Sequence, residues 1–263
     1  MNPCAAILAL WAVLAGAPST FTVALDPGHG GSNRGAPTKA GDVYEKHVTL
    51  AIAKRVQKLL ATERELKVVL CRTGDVFQPI RARVRCANQA GARLFISLHA
   101  NASDPTQAPG SQIGFTLFVL PTAEVDKQVT RAALLAPDDS EAAWAGHRVR
   151  QTAKQSLAAA RRLEWRLADA LGRSRDRGIK QEGAILDVLQ GLDMPAVLVE
   201  VGFLDHEDEG RYLLTDEGQA AIAGALAGAI TDLRSRERRG LKEPMITAPR
   251  PSQSLAQPEP REE

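Results

Sequence analysis

Four side chains in this sequence can move protons or hold a metal, and each stands where a predicted element begins or ends. His29 follows the strand-forming run "FTVAL" within "VALDPGHGGSNRGA", His99 closes "LFISLH", and Glu200 closes "AVLVE". Glu45 opens the first amphipathic helix, close behind the loop that carries His29. Open α/β sheets build their sites just beyond the carboxyl ends of the strands, where these residues fall. Two imidazoles and a carboxylate from separate strand ends are the ligand set of a catalytic zinc, with a fourth position open to water. No compact motif such as H-E-x-x-H occurs, so the fold would have to assemble the site. On the residues alone, a hydrogen-bonded structural role for a strand-end histidine stands beside the metal reading. His47, His147 and His206 sit in polar sequence and read as solvated surface residues.

The loop around His29 is bare. Gly28, Gly30 and Gly31 reach conformations closed to residues with a Cβ, which allows a sharp bend and the approach of a bulky substrate. A phosphate-cradling loop is not supported, because the G-x-x-x-x-G-K-[ST] pattern is absent and no Lys follows.

The elements that must position these residues can be read from periodicity. "FTVAL", "LKVVL", "RLFISLHAN", "GFTLFVL", "AILDVL" and "PAVLVEVGF" read as strands. "HVTLAIAKRVQKLL" places Val48, Ile52, Val56 and Leu59 on one helical face, and Pro79 opens a helix that runs to about Ala90. Further helices are predicted from about Thr152 to Leu171 and from about Asp216 to Arg234, the latter with acids at its start and arginines at its end. Thr122 to Gln151 carries no strand signal and contains the turn-like "APDDS", so it reads as an inserted segment. The alternation predicts an α/β fold: a three-layer sandwich with a mainly parallel twisted sheet flanked by helices.

At 263 residues with 44% hydrophobic content, the chain suits one substantial core, and the domain is expected over 20–239. The formal net charge of +2 argues against nucleic acid as a partner, although Arg161 to Arg177 is locally basic. Residues 1–19 read as a signal peptide: the apolar run is too short to span a bilayer comfortably and ends in Ala15, Gly16 and Ala17. No basic residue precedes that run, and a buried N-terminal helix is the alternative. No stable membrane span is expected after processing. Cys71 and Cys86 then remain, either bonded in a compartment where disulfides persist or as two small buried apolar groups. Residues 240–263, rich in Pro, Ser, Gln and Glu, read as a disordered tail.

"DPGHGGSNRGA", "YEKHVTLAIA", "FISLHANA", "RGIKQ" and "MPAVLVEVGFLDHEDEGRYL" together resemble the zinc-dependent N-acetylmuramoyl-L-alanine amidases of the bacterial cell wall, typified by the periplasmic cell-separation amidases. The resemblance extends from about Thr22 to Leu233, with its blocks in the family's order. It implies that His29, Glu45 and His99 bind Zn2+ and that Glu200 is the catalytic glutamate. The implied reaction is hydrolysis of the amide between N-acetylmuramic acid and L-alanine of the peptidoglycan stem peptide, in a periplasmic or secreted protein. The chain departs from the family at Ser32, Asn33 and Arg34, where an Asp-Pro-Gly-type turn is usual, and at Val201, where Thr or Ser is common. These departures are expected to bear on substrate fine-tuning and not on the metal. In some members an inserted helix occludes the zinc until a partner moves it. Here two readings of 122–151, with Glu124, Asp138, Asp139 and Glu141, stand side by side: a segment that blocks the site partly and is the target of an activator protein, or a surface loop that shapes the substrate groove or has no role. Two rival readings are a two-His one-carboxylate Fe(II) oxygenase, in which Glu200 would be idle, and a non-catalytic wall-binding module, which would be expected to lack a ligand or the base.

Overall fold

A computed structural model describes residues 20–104, 106–181 and 184–240. The proposed leader at 1–19 and the tail beyond Gly240 lie outside them. Six strands form one sheet: β1 (Phe21–Pro27), β2 (Leu66–Leu70), β3 (Leu94–Asn101), β4 (Phe115–Phe118), β5 (Asp176–Lys180) and β6 (Ala196–Phe203), in the order β2-β1-β3-β6-β4-β5. β2, β1, β3 and β6 run parallel, whereas β4 is antiparallel to β6 and carries β5 parallel to itself. β1 and β6 are buried along their whole length, as near-continuous apolar strands covered on both faces must be.

Residues of alternate parity fill two cores. On one face Val23, Leu25, Ile96 and Val199 pack against α1 (Glu45–Leu60), α4 (Asp139–Leu171) and α6 (Asp216–Arg238) through side chains such as Ile52, Leu163 and Leu226. On the other, Ala24, Phe95 and Leu198 pack against Ala87 of α2 (Ile80–Gln89) and against Leu186 and Leu189 of a 3-10 turn, Ala184–Leu189. The expected three layers are present.

The structure corrects three expectations. "AILDVL" forms that 3-10 turn and not a strand, because a short apolar run fits a buried turn as well as a strand and periodicity alone cannot separate them. The strand missing from that reading is β5, "DRGIK", half-buried at the sheet edge and polar enough to give no strand signal, as edge strands often are. The inserted segment is helical: α3 (Thr122–Leu134) is followed by a turn and then by α4, which begins at Asp139 and not near Thr152. Asp138 caps α4 by accepting from the Glu141 amide at 2.9 Å. A short helix, α5 (Glu207–Leu214), also went unread; His206, expected to be simply solvated, caps it through Nδ1, which accepts from the Glu209 amide at 3.2 Å.

Cys71 and Cys86 form a disulfide that joins the end of β2 to α2, their Cα atoms 5.6 Å apart. Among the described residues no helix is long and apolar enough to cross a membrane.

The burial pattern makes a contrast that can be measured. Leu226 is fully buried between α6 and the sheet, whereas Leu134 at the end of α3 is 80% exposed. In urea unfolding, Leu226→Ala should lose about 2–5 kcal/mol, and Leu134→Ala should stay within about 0.5 kcal/mol of the parent.

Candidate metal centre

The chain leaves β1 still in the sheet, with the Gly28 amide donating to Leu98 O at 2.8 Å. It then turns at once. His29 adopts a left-handed φ of 60°, uncommon for a residue with a Cβ, and Gly30 and Gly31 follow at 126° and 58°. Gly28 serves a different purpose from the one expected: a Cβ there would lie 2.5 Å from the His99 ring, so it provides space. Gly35, at φ 71°, does both, since its Cβ would lie 2.4 Å from Glu45 Oε2.

Two buried arginines, which sequence reading did not single out, hold this turn. Arg72 donates from Nε to Pro27 O at 2.9 Å and from Nη2 to Gly28 O at 2.8 Å. Arg83 donates from Nη1 to Pro27 O at 2.8 Å and from Nη2 to His29 O at 2.5 Å. Arg83 also pairs with the buried Asp26 at 2.6 Å. A charged residue beside otherwise apolar positions was the available signal, because a buried guanidinium must find several acceptors.

Glu45 is the first residue of α1, where the helix dipole favours a carboxylate. Its Oε1 accepts from the Ala100 amide at 3.0 Å and faces His99 Nδ1 at 2.8 Å. Its Oε2 accepts from the Ala36 amide at 2.9 Å and faces His29 Nε2 at 2.9 Å. Burial opposes its charge, but His29 and His99 outweigh burial and hold the carboxyl well below its ordinary range. Burial likewise opposes a charge on His99, yet Glu45 and the nearby Glu200 raise its pKa above the ordinary imidazole value. His29 Nδ1 faces Asn33 Oδ1 at 2.8 Å, so a proton on Nδ1 leaves Nε2 turned into the site. One ligand atom from each of His29, Glu45 and His99 lies within 4.8 Å of the others, a donor set that could hold a metal ion. Two imidazoles, a carboxylate and their outer hydrogen-bond partners fit zinc.

Glu200 stands opposite His99 in the register of β3 and β6. It is 3% exposed, and its Oε2 has no hydrogen-bond partner. Burial, and behind it the Glu45 charge, push its pKa up to about 7, against a downward pull from His99 and His29. The fold thus brings all four predicted residues to one end of the sheet.

The inserted segment goes elsewhere. Thr116 pairs with Glu200 and Phe118 with Leu198, so the chain leaving β4 exits at the end of β6 away from Glu200. Val125, Trp144 and Gln151 then share a cavity with Met194 and Ala196, at the start of β6. Glu124 pairs with Lys127 and Asp138 caps α4. The expectation that 122–151 blocks the site is therefore corrected, and a partner bound to that segment would touch the far end of the sheet. The departures from the family pattern are also relocated. Asn33 touches the ring of His29, a candidate ligand, and Val201 lies in the core.

A family model described as N-acetylmuramoyl-L-alanine amidase matches residues 23–232. The amidase AmiC of Escherichia coli is 33% identical over 228 residues, covering 82% of this chain and 53% of that protein, so the chain spans about half the length of that relative. AmiA of Salmonella typhimurium is 32% identical over 219 residues, covering 79% of this chain and 74% of its own. Among solved structures, the catalytic domain of CwlV, an N-acetylmuramoyl-L-alanine amidase from Paenibacillus polymyxa, superposes with a TM-score of 0.63 at 29% identity, covering 81% of this chain and 98% of the domain. The sheet, the convergent His/Glu/His cluster and these matches agree: the chain belongs to the N-acetylmuramoyl-L-alanine amidase family.

Proposed function

We propose that this chain is a zinc-dependent peptidoglycan amidase that cleaves the bond between N-acetylmuramic acid and L-alanine of the stem peptide, with His29, Glu45 and His99 as metal ligands and Glu200 as the catalytic acid/base. The observation that carries this reading is the unpartnered, buried Glu200 carboxylate, raised to about 7, beside the three-residue donor set. Zinc, when bound, supplies the Lewis acidity that polarises a carbonyl and acidifies water. Glu200 takes the proton of the water that attacks the lactyl carbonyl, and returns it to the L-alanine nitrogen as the C–N bond breaks. Its high pKa suits both halves of that transfer near neutral pH. Before the metal binds, Glu45 faces both imidazoles through the nitrogens that would take it, and Asn33 fixes the outer nitrogen of His29. The catalytic domain on this reading is 20–239, and the Cys71–Cys86 disulfide supports a periplasmic or secreted location.

Base and ligands should separate in mutants. Glu200→Gln should keep its zinc and lower turnover on sacculi by about 10²- to 10⁴-fold, whereas His29→Ala, His99→Ala and Glu45→Ala should lose zinc and activity together. Metal analysis beside release of free stem peptides, read by mass spectrometry, checks both. Near-parental turnover in Glu200→Gln would end the assignment of the base.

Zinc uptake should release protons. The nitrogen of His99 that faces Glu45 must be free of its proton to bind a metal, and its raised pKa means that the metal-free site holds that proton to higher pH than a free imidazole would. Zinc affinity should therefore fall as pH drops from 8 to 6. Titration calorimetry at pH 7 in buffers of different ionisation enthalpy should show a net release of protons, and the absence of any buffer dependence would contradict this.

The position of the hairpin gives a third expectation. Replacing Ala123 to Arg150 by a Gly/Ser bridge should leave zinc content and turnover per site within about twofold of the parent. A rise of tenfold or more would restore the gate.

A further inference from the structure

Each ligand comes from a different element: His29 from the loop after β1, Glu45 from the start of α1, and His99 from β3. A metal needs these three held in register with one another, and in this fold the same two guanidiniums reach all of them. Arg72, besides its bonds to Pro27 O and Gly28 O, donates from Nη2 to Lys46 O at 2.7 Å and to Thr49 Oγ1 at 3.2 Å, both in the first turns of the helix that begins with Glu45. It thereby ties the His29 loop to the Glu45 helix. Arg83 holds His29 O directly, and through its ion pair it holds Asp26, whose other oxygen accepts from Ser97 Oγ at 2.9 Å. Ser97 lies on β3 two residues before His99. Arg83 thus ties the same loop to the strand that carries His99.

The loop needs such restraint. A non-glycine residue at left-handed φ persists only when its surroundings over-determine it. Here three successive carbonyls, of Pro27, Gly28 and His29, are claimed by the two side chains, and Arg83 takes the one that belongs to the strained residue itself. Lysine could not substitute, because it offers a point charge where these sites use a planar fork. The arginines are in turn linked. Cys71 immediately precedes Arg72, Cys86 lies about one helical turn beyond Arg83, and the two cysteines are bonded.

We infer that Arg72 and Arg83 are positioning residues for the metal centre, braced against each other by the Cys71–Cys86 disulfide, and that retention of zinc depends on all three parts of this clamp. This rests on the zinc reading above. The measurement is the zinc dissociation constant, obtained on the full chain by competition with a chromophoric chelator, beside circular dichroism and melting temperature. Arg83→Lys and Arg72→Lys should remain folded and weaken zinc binding by about 10- to 100-fold, the range for changes in groups that orient metal ligands. The double variant Cys71→Ala/Cys86→Ala should weaken it at least about threefold. Leu226→Ala, destabilised in the main core without touching the arginines or the disulfide, should keep the parent's affinity within about twofold, which separates positioning from stability in general. Excess zinc should bring turnover of Arg83→Lys back toward the parent. A folded Arg83→Lys or Arg72→Lys with parental zinc affinity overturns the inference, and should neither lysine variant fold, parental affinity in the double cysteine variant overturns it instead. A parent chain that binds no zinc overturns the metal reading itself, a separate result.

Discussion

A buried carboxylate must be compensated on every side, and Glu45 shows how much structure that requirement organises. Its two oxygens take amide donors from Ala36 and Ala100 and face one imidazole each, so a single side chain joins the loop after β1 to the end of β3. Placement at the first position of α1 adds the favourable end of the helix dipole. The pairing of β1 with β3 brings the two histidines to neighbouring positions, and Glu45 sets both rings against one carboxylate. With it, a donor set for a metal forms before any metal arrives.

Glu200 has the same chemistry and the opposite surroundings. It is as deeply buried as Glu45, but no amide or hydroxyl meets its Oε2, and the charge of Glu45 opposes its ionisation. Two carboxylates in one site are thus driven apart in pKa, one held ionised, as the proposed ligand role requires, and the other raised to about 7, as the proposed acid/base role requires. The difference comes from neighbours supplied by the fold and not from residue type.

The antiparallel turn of β4 decides what the inserted helices can do. A strand parallel to β6 would have delivered α3 to the end of the sheet that bears Glu200. Because β4 runs the other way, the α3–α4 hairpin departs from the opposite end, and the second half of α4 returns along the sheet to bury Leu163 and Leu167 in the main core. The end of α3, the turn after it and the start of α4 are left largely exposed, with Leu134, Leu135 and Trp144 open to solvent.

Much of this was legible in the residues. Near-continuous apolar runs marked β1, β3 and β6, and period-3.6 patterns marked α1 and α6, because strands covered on both faces and helices that bury one face must carry apolar residues in those arrangements. Strand-end positions singled out His29, His99 and Glu200. The pattern failed where burial is partial or ambiguous: at "DRGIK", whose edge position requires little apolar surface, at "AILDVL", whose apolar run suits a turn, and along 122–151, where an exposed hairpin needs no continuous stripe. It also failed at Arg72, Arg83 and Asn33, since a side chain that stabilises another residue's backbone or ring leaves no periodic trace. Local patterning therefore fixed which segments fold and which residue types could do chemistry. Which carboxylate faces the histidines and which stands unpartnered, whether Cys71 meets Cys86, and which end of the sheet the hairpin leaves were decided by tertiary packing, because each depends on contacts between residues far apart in the chain.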